Sequence, residues 1–288
     1  MYAITGITGQ VGGAMARALL DAGQPVRAVV RDVAKGAEWA TRGCEVAIAT
    51  MEDGAALAEA FKGAEGVFIL PPNEFDPSPG FPEALAVIDA VKEGLEAARP
   101  GRVVCLSTIG AQAHQPNLLT QRTLMEQELG KLAVPMTFLR PAWFMENFAW
   151  DVASARDAGI IASFLQPLDR TVPMIATVDI GHLAAKLIQE RREGRRIVEL
   201  EAERRYSPND VAAAFADVLR RPVRAEAVPR ETWGALFKSQ GMKDPLPRIQ
   251  MLDGFNEGWI AFEGPPSSIV KGPTTLETVM RALVSSES

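Results

Sequence analysis

Two cysteines, two histidines and two tyrosines are all that this 288-residue chain carries of those types. Cys44 and Cys105 both sit in apolar, strand-like surroundings. They read as small core residues, since a buried free thiol behaves as a small hydrophobe. Neither cysteine stands close to a histidine, which argues against a structural zinc site, and no metal is expected. Long apolar runs are missing too, so no stretch is expected to span a bilayer. The chain opens on an apolar run at Tyr2 with no basic leader, and a reducing, cytoplasmic setting is the default expectation. A formal charge of −6 leaves no general attraction for phosphate backbones, so nucleic acid is not an expected partner.

What is present alternates. Short apolar runs at Ala3–Thr5, Val26–Val30, Glu45–Ala49, Val67–Leu70, Val103–Leu106 and Thr137–Leu139 read as strands. Stretches with helical spacing separate them, at Gly12–Ala22, Ala55–Phe61, Glu83–Ala98 and Leu119–Leu132. Nearly continuous apolar strands alternating with helices predict an α/β fold, a doubly wound parallel sheet covered on both faces. After Arg140-Pro141 the pattern changes, with Trp143, Phe144, Phe148 and Trp150 crowded together. Val172–Ala176 and Ile197–Leu200 read as strands and Val178–Glu190 as a helix. Ser207-Pro208 and Thr274-Thr275 read as later helix starts. The proline-rich stretch Pro71–Pro82 reads as a surface excursion.

The first strand runs into Thr5-Gly6-Ile7-Thr8-Gly9-Gln10-Val11-Gly12. Glycines at this spacing, between a strand and a helix, form a dinucleotide-binding turn of the Rossmann type. Gly6 permits the turn, Gly9 lets the backbone approach a pyrophosphate, and Gly12 lets helix and strand pack closely. The helix N-terminus then offers free N–H groups to the phosphates. The second strand ends in Arg31-Asp32. An arginine there pairs with the 2′-phosphate of NADP, whereas an acid accepts from the 2′-hydroxyl of NAD. Arg31, with Lys35 as a second cation, favours NADP(H), with NAD(H) as the other choice. The bland alternative is a solvated Arg–Asp surface pair.

Three further stretches carry a resemblance: Val30-Arg31-Asp32, Leu139-Arg140-Pro141-Ala142-Trp143-Phe144-Met145-Glu146-Asn147, and Gly272-Pro273-Thr274-Thr275-Leu276-Glu277. With the glycine motif, they make the chain resemble the NmrA-like, atypical short-chain dehydrogenases. Within that family it looks most like the NAD(P)H:quinone oxidoreductase and triphenylmethane-reductase group. The resemblance implies a Rossmann domain over 1–140, with 172–200 contributing, and a smaller, mostly helical substrate-cleft domain from 141–171 and 201–288. It implies that Gly6, Thr8, Gly9, Gln10, Val11 and Gly12 meet the pyrophosphate and Arg31 the 2′-phosphate. Leu70, Pro71, Ser107 and Thr108 are implied beside the nicotinamide half, and Phe144 and Asn147 by the substrate. Two positions depart from relatives. Thr50 stands where an aspartate near the adenine is common, and Glu126-Gln127 replaces a Glu-Lys pair.

Ordinary short-chain dehydrogenases use Tyr-x-x-x-Lys, the tyrosine protonating the alkoxide left by hydride transfer. Here that spacing reads Thr123-x-x-x-Gln127, and the only tyrosines are Tyr2 and Tyr206. Ser107, Thr108 and His114 are the candidate substitutes; His114 and Trp143 are also candidate substrate contacts. Trp233, Phe237 and Trp259 could close the cleft. An acceptor that needs no proton in the hydride step suits such a site. The first expectation is an NADPH-dependent reductase of a quinone or another activated, aromatic or cationic small molecule. The alternative is a non-catalytic NADP(H) sensor that binds a regulatory protein. A sugar epimerase is a weaker third, because that chemistry also leans on the tyrosine. A homodimer is a further partner expectation.

Overall fold

The computed structural model describes residues 1–286. Its first half alternates strand and helix: β1 (Tyr2–Ile4), α1 (Gln10–Asp21), β2 (Val26–Val30), α2 (Val33–Thr41), β3 (Glu45–Ile48), α3 (Gly54–Phe61), β4 (Gly66–Ile69), α4 (Pro82–Ala98), β5 (Val103–Leu106), α5 (Thr120–Leu129) and β6 (Met136–Pro141). Then come β7 (Trp143–Phe144), a 3-10 turn at Met145–Asp151, α6 (Val152–Asp157), β8 (Ile160–Ser163), β9 (Met174–Ile175), α7 (Thr177–Leu187) and β10 (Arg195–Ala202). The remainder supplies α8 (Pro208–Leu219), β11 (Arg224–Ala227), α9 (Trp233–Ser239), α10 (Leu246–Glu257), β12 (Val270–Gly272) and α11 (Leu276–Ser286).

Among the described residues, eight strands form one parallel sheet in the order β12-β10-β6-β5-β4-β1-β2-β3. The strand order reverses between β1 and β4, which pair with Tyr2 opposite Gly66. A crevice at the carboxyl ends of the strands is expected at such a switch point. Every residue of β1, β2, β4, β5 and β6 is buried, as continuous apolar strands between two helical layers must be. One layer packs α1 and α7 on the sheet, around Leu19, Phe68 and Ile180. The other packs α3, α4 and α5, around Leu57, Val91 and Phe138. Two further clusters fill the later half, around Phe215 and Met280 and around Trp233 and Phe237.

The structure departs from the sequence reading in several elements, three of which bear on the main sheet and its flanks. The helix α2 falls in a stretch left unassigned, where Asp32 caps it by accepting from Ala34 N at 2.8 Å. The stretch Val172–Ala176 is not a strand of the main sheet. Met174–Ile175 pairs with Trp143–Phe144 instead, and Val172 forms a single bridge to Tyr206. The eighth strand is Val270–Gly272, added at the edge beside β10, in a segment too short and polar for alternation to mark it. The helix start at Ser207 is a capping box: its hydroxyl takes the N–H of Asp210, and the Asp210 carboxylate takes the N–H of Ser207. No helix among the described residues is long and apolar enough to cross a membrane.

Candidate active site

At the switch point the Thr5 hydroxyl donates to the carbonyl of Phe68 at 3.1 Å and accepts the N–H of Leu70 at 2.8 Å, tying the exits of β1 and β4 together. Gly6 follows in the left-handed region, at φ +62°, with the Leu70 side chain filling the space beside it. A Cβ on Gly12 would lie 2.3 Å from the Gly6 carbonyl oxygen, so helix and turn touch backbone to backbone there. Thr8, Gly9 and Gln10 are exposed, and Val11 is buried. No side chain caps α1 and its first turn holds no acid. The N–H groups of its first turn are left without a side-chain partner, a fit for a pyrophosphate.

Arg31 and Lys35 are exposed beside this turn. Asp32 accepts from Ala34 N as the α2 cap, and Arg31 makes no ion pair among the described residues. Thr50 is exposed and Met51 half-buried. Leu70 is half-buried and Pro71 buried, the Pro71 carbonyl accepting from Arg122 at 3.1 Å.

The catalytic candidates fare differently. Ser107, at the exit of β5, donates its hydroxyl proton to the Glu126 carboxylate. Glu126 in turn is gripped by both Arg140 Nε at 2.8 Å and Arg140 Nη2 at 2.6 Å. A serine so engaged has no proton for a substrate. Arg140 also reaches Glu263 at 2.7 Å and Gln112 at 3.2 Å, joining β6 to the segment before β12. Thr108 is half-buried and His114 exposed on its loop. Thr123 is half-buried on α5 and Gln127 exposed. Both tyrosines are buried elsewhere: Tyr2 inside β1, and Tyr206 in the later core with its hydroxyl near Leu276 N.

The aromatic candidates also separate. Phe144, Leu70 and Phe262 each pack against the core cluster that also holds Ile7 and Val11 of the glycine turn. Trp143 turns the other way, edge-on to Phe255 at 5.2 Å, and its buried Nε1 has no hydrogen-bond partner. Asn147 is exposed. Trp150 is 92% exposed and belongs to no cluster, while Trp233 and Phe237 are fully buried against Phe164, so these two are core rather than cleft wall.

Glu146 was visible only as part of a motif; its role appears in the fold. Its carboxylate accepts the N–H of Thr177 at 2.9 Å and the Thr177 hydroxyl at 2.7 Å, capping α7. The same hydroxyl lies 3.1 Å from the Gln10 side chain, so the segment after β6 is wired to the glycine turn. Asp151, closing that segment, has its carboxyl pushed up to about 6 by burial, partly offset by a backbone bond from Ala162. The fold thus holds this proton more tightly than the unfolded chain does. Stability is lost as pH rises from about 4 to about 6 and stays reduced above. Asp151→Asn is therefore expected to raise Tm at pH 8 and to leave it unchanged at pH 4; equal effects at both would remove the titration.

The match to a known family model runs over residues 2–254 and is that of the NmrA-like family. This chain belongs to the NmrA-like family. The NAD(P)H azoreductase of Xenophilus azovorans is 27% identical over 260 residues, 89% of this chain and 85% of that one. Quinone oxidoreductase 2 of Escherichia coli is 26% identical over 85% of this chain and 84% of its own. The crystal structure of an NADPH-dependent quinone oxidoreductase from Escherichia coli, complexed with NADPH, superposes with a TM-score of 0.81 at 24% identity, covering 98% of this chain and 99% of that one. The NmrA-like fold is thus shared from end to end.

Proposed function

We propose that this chain is an NADPH-dependent oxidoreductase that passes hydride to a quinone or another activated, planar small molecule without a Tyr-Lys acid. The observation that carries this reading is the crevice itself: an uncapped glycine turn with an unpaired arginine beside it, and no tyrosine within it. NADP(H) fits with its pyrophosphate on Gly6 to Gly12 and its 2′-phosphate on Arg31, Lys35 nearby. The adenosine half then lies over β1 to β3 and the nicotinamide half over β4 and β5, beside Leu70, Pro71 and Ser107. Bound there, the reduced nicotinamide supplies the hydride. Phe144, half-buried against the same core cluster as Leu70, would offer a ring face to a planar acceptor, with Asn147 and His114 at the rim and Trp143 behind.

The chemistry follows from the proton inventory. With Ser107 committed to Glu126, and Thr123 and Gln127 where an acid and its lysine would stand, Thr108 and the rim His114 are what remains of the candidate donors, and the chain chiefly supplies orientation. An electrophile whose reduced form is a stabilised anion, or is neutral, tolerates that; a simple ketone does not. The relatives named as an azoreductase and a quinone oxidoreductase support this class of acceptor. A direct comparison tests it: NADPH turnover with quinones and cationic dyes against turnover with aliphatic ketones and aldehydes. Activated acceptors are expected to turn over at least about a hundredfold faster, the usual worth of a general acid. Comparable rates for both groups would reject an acid-free site.

A further inference from the structure

Behind the exit of β5 lies a chain of buried polar groups whose hydrogen-bond directions are fixed by chemistry. Arg140 has five donors and no acceptor, and it spans both oxygens of Glu126. Glu126 is therefore a carboxylate and can only accept. Ser107 Oγ, bonded to the same carboxylate, must be the donor. The three residues are 3%, 9% and 5% exposed, so the bonds lie inside the fold. A serine hydroxyl has one proton and two lone pairs. Once the proton is spent on Glu126, the Ser107 hydroxyl can only accept from any further partner.

That polarity selects what can sit against it. A quinone carbonyl or a hydroquinone oxyanion is electron-rich and has nothing to donate, so it is a poor neighbour. The nicotinamide ring carries one donor group, the N–H₂ of its carboxamide. Resting on the cofactor placement proposed above, we infer that Ser107 accepts a hydrogen bond from the nicotinamide carboxamide, with Glu126 as the positioning residue that fixes the hydroxyl's direction. This contact sets which way the carboxamide points, and with it how the ring lies over the sheet end. The acceptor molecule is left to the other side of the ring, toward Phe144.

The test compares NADPH with its reduced 3-acetylpyridine analogue, in which a methyl ketone replaces the carboxamide and no N–H remains. Dissociation constants are read by tryptophan quenching on the whole chain, with Ser107→Ala beside the unsubstituted protein. The expectation is about tenfold weaker binding of the analogue to the unsubstituted protein, the worth of one hydrogen bond. In Ser107→Ala that ratio should fall to about one, through weaker NADPH binding alone. A serine that merely shapes the strand end would weaken both dinucleotides alike and leave the ratio intact, which would overturn the inference. Glu126→Leu removes the acceptor, frees the serine proton and should also shrink the ratio; a folded variant with the full ratio would overturn the positioning role. Should Glu126→Leu not fold, Ser107→Ala decides alone. Failure of the unsubstituted protein to bind NADPH would instead reject the cofactor placement, and the inference with it.

Discussion

Replacing Arg140 with methionine is expected to destabilise the protein by about 3–5 kcal/mol, the usual result of removing one partner from a buried ion pair. Arg140 is 3% exposed and holds Glu126 from two nitrogens, with Glu263 at 2.7 Å and Glu199 at 3.9 Å. Glu199 keeps the N–H groups of Glu263 and Gly264, at 2.8 and 2.9 Å. Glu126 keeps only Ser107, so an uncompensated carboxylate would remain inside the fold. For a chain of this size the loss corresponds to a fall in Tm on the order of 10 °C. Adding Glu126→Leu should recover much of it, because what costs stability is the stranded charge and not the absence of the pair. Thermal unfolding of the single and double variants checks both statements. A single variant within about 1 kcal/mol of the parent would mean that Glu126 finds water or takes up a proton, contrary to its place in the fold.

The second large effect is on the cofactor. Arg31→Ala is expected to weaken NADPH about 10- to 100-fold, the range for hydrogen bonds between charged groups, while NADH changes less than about twofold. Arg31 makes no ion pair among the described residues, so no intramolecular pair has to be broken when it turns to a phosphate. Equal losses for both dinucleotides, in titrations by fluorescence, would remove the 2′-phosphate role and point to a general effect on the turn.

The parts of this molecule that sequence reveals are those with a local cause. Five of the six strands of the first half are apolar runs because both faces are covered, and Gly6 and Gly12 are glycines because the turn leaves no room for a Cβ. The cap and first turn of α8 announce themselves for the same reason. Partnerships formed across long separations do not. Ser107 looks like a free hydroxyl until Glu126 and Arg140, 19 and 14 residues apart from their respective partners, are folded against it. Glu146 looks like a motif letter until Thr177 arrives at its carboxylate, 31 residues on. Trp233 and Phe237 resemble cleft residues in a linear reading, yet Phe164 buries them. The strand Val270–Gly272 depends on the edge that β10 offers, which no three-residue pattern encodes. The Arg-Pro-x-Trp-x-x-Glu-Asn stretch thus carries internal wiring as much as a substrate wall.

The measurement that bears most directly on the whole account is a single turnover. Protein loaded with one equivalent of NADPH is mixed with excess quinone, and the loss of reduced-nicotinamide absorbance is followed. The account predicts stoichiometric oxidation of the bound cofactor, much faster than the same NADPH and quinone react without protein. Tight NADPH binding with no oxidation above that background, by quinones or cationic dyes alike, would contradict it and mark the crevice as a place where the dinucleotide is held rather than used.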